Sequence, residues 1–288
     1  MRILFIGGGN MAAALIGGLT ERGFPGSDID VIEIAAPRRQ QLQQCFGVRC
    51  DERVGSRQLT ATGRIGAEVV VLAVKPQQMR DAATALSSLL EGQLVLSVAA
   101  GVRSDDLRRW LGPNCRIVRT MPNTPALIGR GTTGIAASAA LRPDDRQRAE
   151  TIMSAVGEVV WIDDERLLDA VTAVSGSGPA YVFLLIESLI DAARQLGLPP
   201  DQARRLALGT VAGAAELAAR SDEPPSVLRE RVTSPGGTTA AALAVLMQRG
   251  LPQLVADAVQ AACRRGAELG DEFGAAADGA EAAHLRRD

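Results

Sequence analysis

Short apolar runs separated by helical stretches occupy the first half of the chain, and apolar residues recur almost only at helical spacing in the second half. Residues 2–6 form a run suited to a strand buried on both faces, broken at once by Gly7, Gly8 and Gly9 into a tight turn before a small-residue helix that runs to Leu19. Residues 29–33 predict a second strand. Residues 68–74 predict a third, stopped by Lys75 and Pro76, and residues 94–98 a fourth, after a helical stretch over 79–90. A further strand over 115–119 leads into a rigid polar turn, Met121-Pro122-Asn123-Thr124-Pro125. Strands near 134–137 and 159–162 flank a charged helix over 143–156. Such alternation implies right-handed crossovers and an open parallel sheet. Beyond Asp163 helices dominate, over 181–196, 202–219, 240–249 and 255–269. The division expected is residues 1–162 as a strand-and-helix domain, 163–273 as a helical domain, and 274–288 as an Ala- and Gly-rich polar tail without order.

The first turn carries chemistry. Gly7, Gly9 and Ala12 fit the dinucleotide-binding spacing G-x-G-x-x-G/A, with Gly8, Asn10 and Met11 between them. The first glycine makes the turn, the second lets the backbone approach a pyrophosphate, and small Ala12 lets helix and strand pack closely. The N–H groups of that helix start would face the phosphates. Glu33 follows about 20 residues on, where an acid holds a ribose 2′-hydroxyl and favours NADH. Arg38 and Arg39 lie just beyond and suit a 2′-phosphate, or equally a solvated helix face, so NADPH and NADH both stay open. Ligands of such sheets bind beyond the carboxyl ends of the strands, where Gly7 to Gly9, Val74-Lys75-Pro76 and Ala99-Ala100-Gly101 converge, the last with side chains too small to block a flat ring. The fold class expected is an α/β Rossmann-like doubly wound sheet followed by an all-α dimerisation domain, since the later helices carry more Ala and Leu than a lone surface bundle needs.

Composition narrows the chemistry. Among 288 residues with net charge −2 there is one histidine, His284, and one lysine, Lys75. Catalysis by a His, or by a Lys in the second domain, is thereby excluded, and Arg does not release its proton in this pH range. The reaction must need little help from a protein proton donor. No basic patch points to nucleic acid, and the short interrupted apolar runs predict no membrane span. The chain enters a strand directly, without a signal peptide, so a cytoplasmic location is expected. Cys45, Cys50, Cys115 and Cys263 lack metal-ligand spacing and read as plain thiols, with no metal site.

Two Gly-rich islands interrupt the helical half. Residues 175–181 put Pro179 at a helix start after a serine turn, and residues 233–239 do the same before a helix beginning at Ala240. The second suits a nest of N–H groups for a small carboxylate, with a purely structural turn as the alternative for each.

With Gly7 to Ala12, Ala73 to Gln77, Met121 to Pro125, Asp169 to Thr172, Ser175 to Tyr181 and Val232 to Thr239 in view, the chain resembles the pyrroline-5-carboxylate reductase family from Arg2 to about Phe273. The resemblance implies a Rossmann domain and a helical domain that interlocks with a partner as a homodimer, often assembled into decamers. It implies reduction of a cyclic imino acid to proline by NADPH or NADH, with the substrate at the dimer interface. It assigns the carboxylate to Ser234, Pro235, Gly236, Gly237 and Thr238, with Ser177 among the substrate contacts. Thr239 would hydrogen-bond the ring nitrogen, and Glu165 would lie near that nitrogen and favour its cation. Asn10, Ala100 and Asn123 would be cofactor contacts. This sequence departs from the family in following its second strand with Glu33-Ile34, where a polar or basic residue is frequent. A dehydrogenase of the 3-hydroxyacid type would need a second-domain lysine, which is absent. A non-catalytic dinucleotide sensor would need only the Rossmann turn and a dimer.

Overall fold

A computed structural model of the chain describes residues 1–137 and 141–284, with side chains as far as residue 275. Eight strands form one sheet in the order β3-β2-β1-β4-β5-β6-β7-β8. They are β1 Ile3–Ile6, β2 Ile29–Ile32, β3 Arg49–Asp51, β4 Val69–Leu72, β5 Leu94–Ser97, β6 Arg116–Met121, β7 Gly131–Ala137 and β8 Gly157–Trp161. Between them run α1 Asn10–Glu21, α2 Ala36–Phe46, α3 Met79–Leu86, α4 Ser104–Leu111 and α5 Pro143–Met153. Successive side chains of a strand face opposite ways, and both faces are covered. Ile3 and Phe5 join Leu15, Ile16, Leu42 and Ile152 in one apolar layer. Leu4 and Ile6 join Met79, Ala83, Leu107 and Trp110 in the other.

The sheet is not wholly parallel. β6 and β7 pair antiparallel, Val118 opposite Ala137, while β7 and β8 return to parallel. The link between them, built on the 3-10 turn Thr124–Ile128, is shorter than the dozen or so residues a parallel crossover requires. Strand β6 is also held by a buried ion pair. Arg116 donates from Nη2 to Oδ1 of Asp145 at 3.1 Å, while Oδ2 of Asp145 accepts the Arg142 N–H at 3.0 Å.

The helices that follow are α6 Leu168–Val171, α7 Gly178–Gln195, α8 Pro200–Ala219, α9 Pro225–Arg231, α10 Thr238–Gln248 and α11 Leu251–His284. By compactness the chain divides into Met1–Ser177 with Ala262–Asp288, and Gly178–Ala261. The first unit thus runs past the division drawn at residue 162, because α6 packs on β7, where Val171 fills the space beside Gly134.

Three further expectations need correction. The island at 175–181 is not a break: a π-helical turn Thr172–Gly176 carries α6 to the start of α7, with Pro179 in the first turn. That continuity makes Glu165–Gln195 one helical stretch of 31 residues that contains an 18-residue window of mean hydropathy 1.4, by length and composition enough to cross a membrane, where none was expected. Nor does disorder begin at residue 274, since α11 continues to His284; residues 285–288 lie outside the described residues.

Candidate active site

The dinucleotide edge lies wholly in the first unit. Strands β1, β4 and β5 are adjacent and parallel, with Ile6 opposite Leu72 and Leu72 opposite Ser97. Their carboxyl ends therefore release the Gly7 to Gly9 turn, Val74-Lys75-Pro76 and Ala99-Ala100-Gly101 side by side, as expected. Gly7 has φ +97°, and a Cβ there would stand 2.8 Å from the carbonyl oxygen of Ala73. Only glycine turns the chain here. Gly9 differs: apart from the chain adjoining it, no described atom lies within 4 Å of where its Cβ would be. That open position, at a helix start to which no side chain gives a capping bond, fits the approach of a pyrophosphate. Lys75 leads the 3-10 turn Pro76–Gln78 with its side chain exposed. Gly101, φ +77°, is approached by the Phe273 ring, 3.2 Å from its Cβ position, and Arg103 two residues on pairs with Asp271 at 2.7 Å. The late part of α11 therefore packs on the loop after β5, a contact far apart in sequence and without a local signal.

At the end of β2 the Glu33 carboxylate accepts the N–H of Gly8 through Oε2 and that of Ala35 through Oε1, each at 2.8 Å. The neighbouring arginines are tied to backbone. Arg38 donates from Nε to the Gly8 carbonyl at 2.6 Å and reaches Gln41 and Asn10 with its other nitrogens. Arg39 donates from Nη1 to the carbonyls of Glu33 and Ile34 at 2.7 and 2.8 Å, with Nη2 3.8 Å from Glu52. Neither is the solvated helix face that its sequence context also allowed.

Glu165 sits in a 3-10 turn after β8. Its Oε1 accepts the Ser104 N–H at 2.8 Å, at the start of α4, and Nη1–H of Arg119 at 2.7 Å. Arg119 lies at the centre of β6 and is 6% exposed. Burial alone would raise the Glu165 pKa, but these donors outweigh it and hold the carboxyl below its ordinary value of 4.5. Both bonds fall on Oε1, so Oε2 is the oxygen oriented but not consumed by the pair. Arg119 was missed from the sequence; the signal was a charge in the middle of the apolar run Ile117-Val118-Arg119.

Asn123 is bonded within the protein on both sides of its amide. Its Nδ2 donates to the carbonyl and the hydroxyl of Ser175 at 3.1 and 3.3 Å, and its Oδ1 accepts the Thr132 N–H at 2.9 Å. The amide ties the turn after β6 to β7 and to the π-helical turn. Ser177 closes that turn by donating its N–H to the Thr172 carbonyl at 2.8 Å.

In the second unit, Gly237 N–H donates to the Ser234 carbonyl at 3.0 Å and Gly236 takes φ +73°, forming a tight turn into α10. Gly237 is the N-cap and receives no side-chain capping bond. Thr238 and Thr239 open the helix, and the Thr239 hydroxyl has no hydrogen-bond partner among the described residues. The backbone N–H groups of Thr238 and Thr239 thus lie in the first turn of α10, at a helix N-terminus of the kind that holds a carboxylate. An open apolar groove of about 470 Å³ lies between α7 and the start of α11, lined by Tyr181, Leu184, Leu185, Leu254 and Val255.

Comparison with known proteins decides the family. Residues 165–269 match the family described as pyrroline-5-carboxylate reductase dimerisation, and residues 2–101 match NADP oxidoreductase coenzyme F420-dependent. The pyrroline-5-carboxylate reductase of Pseudomonas aeruginosa is 45% identical over 274 residues, covering 95% of this chain and 98% of its own length. The chain belongs to the pyrroline-5-carboxylate reductase family. The Synechocystis enzyme is 44% identical over 92% of this chain and 97% of its own. Among solved structures, the Coxiella burnetii reductase superposes with TM-score 0.87 at 40% identity, over 93% of this chain and 98% of that one. The Plasmodium falciparum pyrroline carboxylate reductase, solved with NADP bound, superposes with TM-score 0.81 at 29% identity, over 94% and 98%.

Proposed function

We propose that the chain reduces 1-pyrroline-5-carboxylate to L-proline, with NAD(P)H as the hydride donor and one proton taken up at the ring nitrogen. Family membership across nearly the whole chain carries this reading, and the composition agrees with it. A protonated imine already bears the activation that a His or Lys acid would otherwise supply, so the work left to the protein is orientation, worth several kcal/mol.

In this reading the N–H groups at the start of α1 hold the cofactor phosphates. Val74, Pro76, Ala99 and Ala100 bound the nicotinamide with small or apolar surface that excludes water. The turn Ser234 to Thr238 holds the substrate carboxylate. Thr239 orients the ring through its hydroxyl. Glu165 stays ionised through Arg119 and Ser104, and its Oε2 favours a cationic nitrogen nearby.

The dimerisation-domain match and the exposed apolar side chains of the second unit support a homodimer acting on a small molecule. Phe183 is 58% exposed and Leu184 64%. A second copy packed on these faces also accounts for the apolar stretch Glu165–Gln195 without a bilayer. Assembly of dimers into decamers and a cytoplasmic location complete the reading; the decamer rests on the family resemblance. Steady-state oxidation of NADPH and of NADH in the presence of pyrroline-5-carboxylate is the test. Absence of turnover with both would overturn the reductase reading and leave a dinucleotide sensor.

A further inference from the structure

We infer that this chain selects NADH over NADPH, and that Glu33 is the residue that discriminates. The inference rests on the reductase reading of the dinucleotide edge and concerns which of two cofactors that edge admits.

The acid at the end of the second strand of such a sheet stands where the adenine ribose is read. Here it is not a loose surface group. Two backbone N–H bonds, from Gly8 and Ala35 at 2.8 Å each, fix the carboxylate against the phosphate-binding turn. A fixed carboxylate accepts from a ribose 2′-hydroxyl and repels a 2′-phosphate. Admission of the phosphate would need a cation close by to outweigh that repulsion. The two candidates are already engaged. Arg38 spans the Gly8 carbonyl, Gln41 and Asn10, and so braces the turn itself. Arg39 caps the carbonyls of Glu33 and Ile34 and shares its charge with Glu52. Freeing either one would break hydrogen bonds of 2.6 to 2.8 Å that shape the loop. Ile34, the next side chain, is 76% exposed and offers no donor.

The test is direct binding of NADH and NADPH to the full-length protein, measured by calorimetry without substrate, alongside the ratio of kcat/KM for the two. Wild type is expected to bind NADH about tenfold or more tightly than NADPH, the scale on which juxtaposed like charges discriminate. Glu33→Gln keeps size and an acceptor while removing the charge, and should bring the two dissociation constants to within about threefold, chiefly by tightening NADPH. Arg38→Ala should weaken both cofactors alike, because it loses its hold on the turn. Tighter binding of NADPH by wild type, an unchanged ratio in a folded Glu33→Gln, or a loss confined to NADPH in Arg38→Ala would each overturn the inference. Binding of neither cofactor would overturn the reductase reading with it.

Discussion

Arg119 Nη1 lies 2.7 Å from Oε1 of Glu165, joining the centre of a buried strand to a turn 46 residues later. Glu165 is thereby held in its ionised form, its Oε1 fixed by a guanidinium that lies within the sheet.

The pair makes stability depend on acidity in a defined direction. Glu165 and Asp145 both titrate below their ordinary values of 4.5 and 3.8; burial opposes ionisation in each, and bonded N–H groups with a guanidinium overcome it. A carboxyl with a depressed native pKa stabilises the fold above its unfolded pKa, and that contribution is lost as pH falls through the native value. Urea unfolding should show stability insensitive to these groups above about pH 5 and declining below it. Glu165→Gln should cost about 1.5–3 kcal/mol at neutral pH. The deficit should shrink as the pH is lowered through the carboxyl range. A deficit independent of pH would mean that the charge of Glu165 contributes nothing.

Gly7 and Gly9 should separate by experiment although they are two residues apart. Gly9→Ala places a methyl group in open space and should leave the melting temperature nearly unchanged while weakening NADH and NADPH by about tenfold or more, through loss of close backbone approach. Gly7→Ala combines a positive φ with a backbone clash and should lose about 1–3 kcal/mol of stability as well as cofactor binding. Unimpaired binding in Gly9→Ala would remove the pyrophosphate from this turn.

Thr239 is expected to orient rather than to protonate. A hydrogen bond to a charged group contributes about 1.5–3 kcal/mol, so Thr239→Ala should lower kcat/KM by about ten- to a hundredfold. Thr239→Val should behave the same, with cofactor dissociation constants unchanged in both. Loss of many orders of magnitude would make the hydroxyl an obligatory proton donor. No loss in either variant would place the substrate nitrogen elsewhere.

Phe183 and Leu184 on α7 are 58% and 64% exposed. Phe183→Glu, or Leu184→Glu, buries a charge in the dimer and should shift sedimentation equilibrium toward monomer by several kcal/mol of association energy. Dimers of wild-type affinity in both variants would exclude this face of α7 from the interface. Wild-type sedimentation tests the decamer at the same time.

Periodicity and composition determined much of this protein. The runs that became β1, β4 and β5 are buried on both faces and so are nearly all apolar, a pattern that needs no tertiary knowledge. The turn Gly7 to Ala12 announced the dinucleotide edge because its spacing follows from backbone geometry. The lack of a His or Lys acid limited the chemistry, since titration is a property of residue type. Other elements left no such trace. Helix α2 buries only Leu42 and β3 has three residues, so neither shows a period. The antiparallel β7 was decided by the length of its link, and the continuity of α6 with α7 by a π-helical turn that passes through serines and glycines otherwise read as a break. Above all, the fates of Glu33, Arg38, Asn123 and Glu165 were decided by tertiary structure. Each is a polar side chain whose role depends on which donor or acceptor folding brings within 3 Å or so, and residues 25 to 61 positions apart supply the partners that matter.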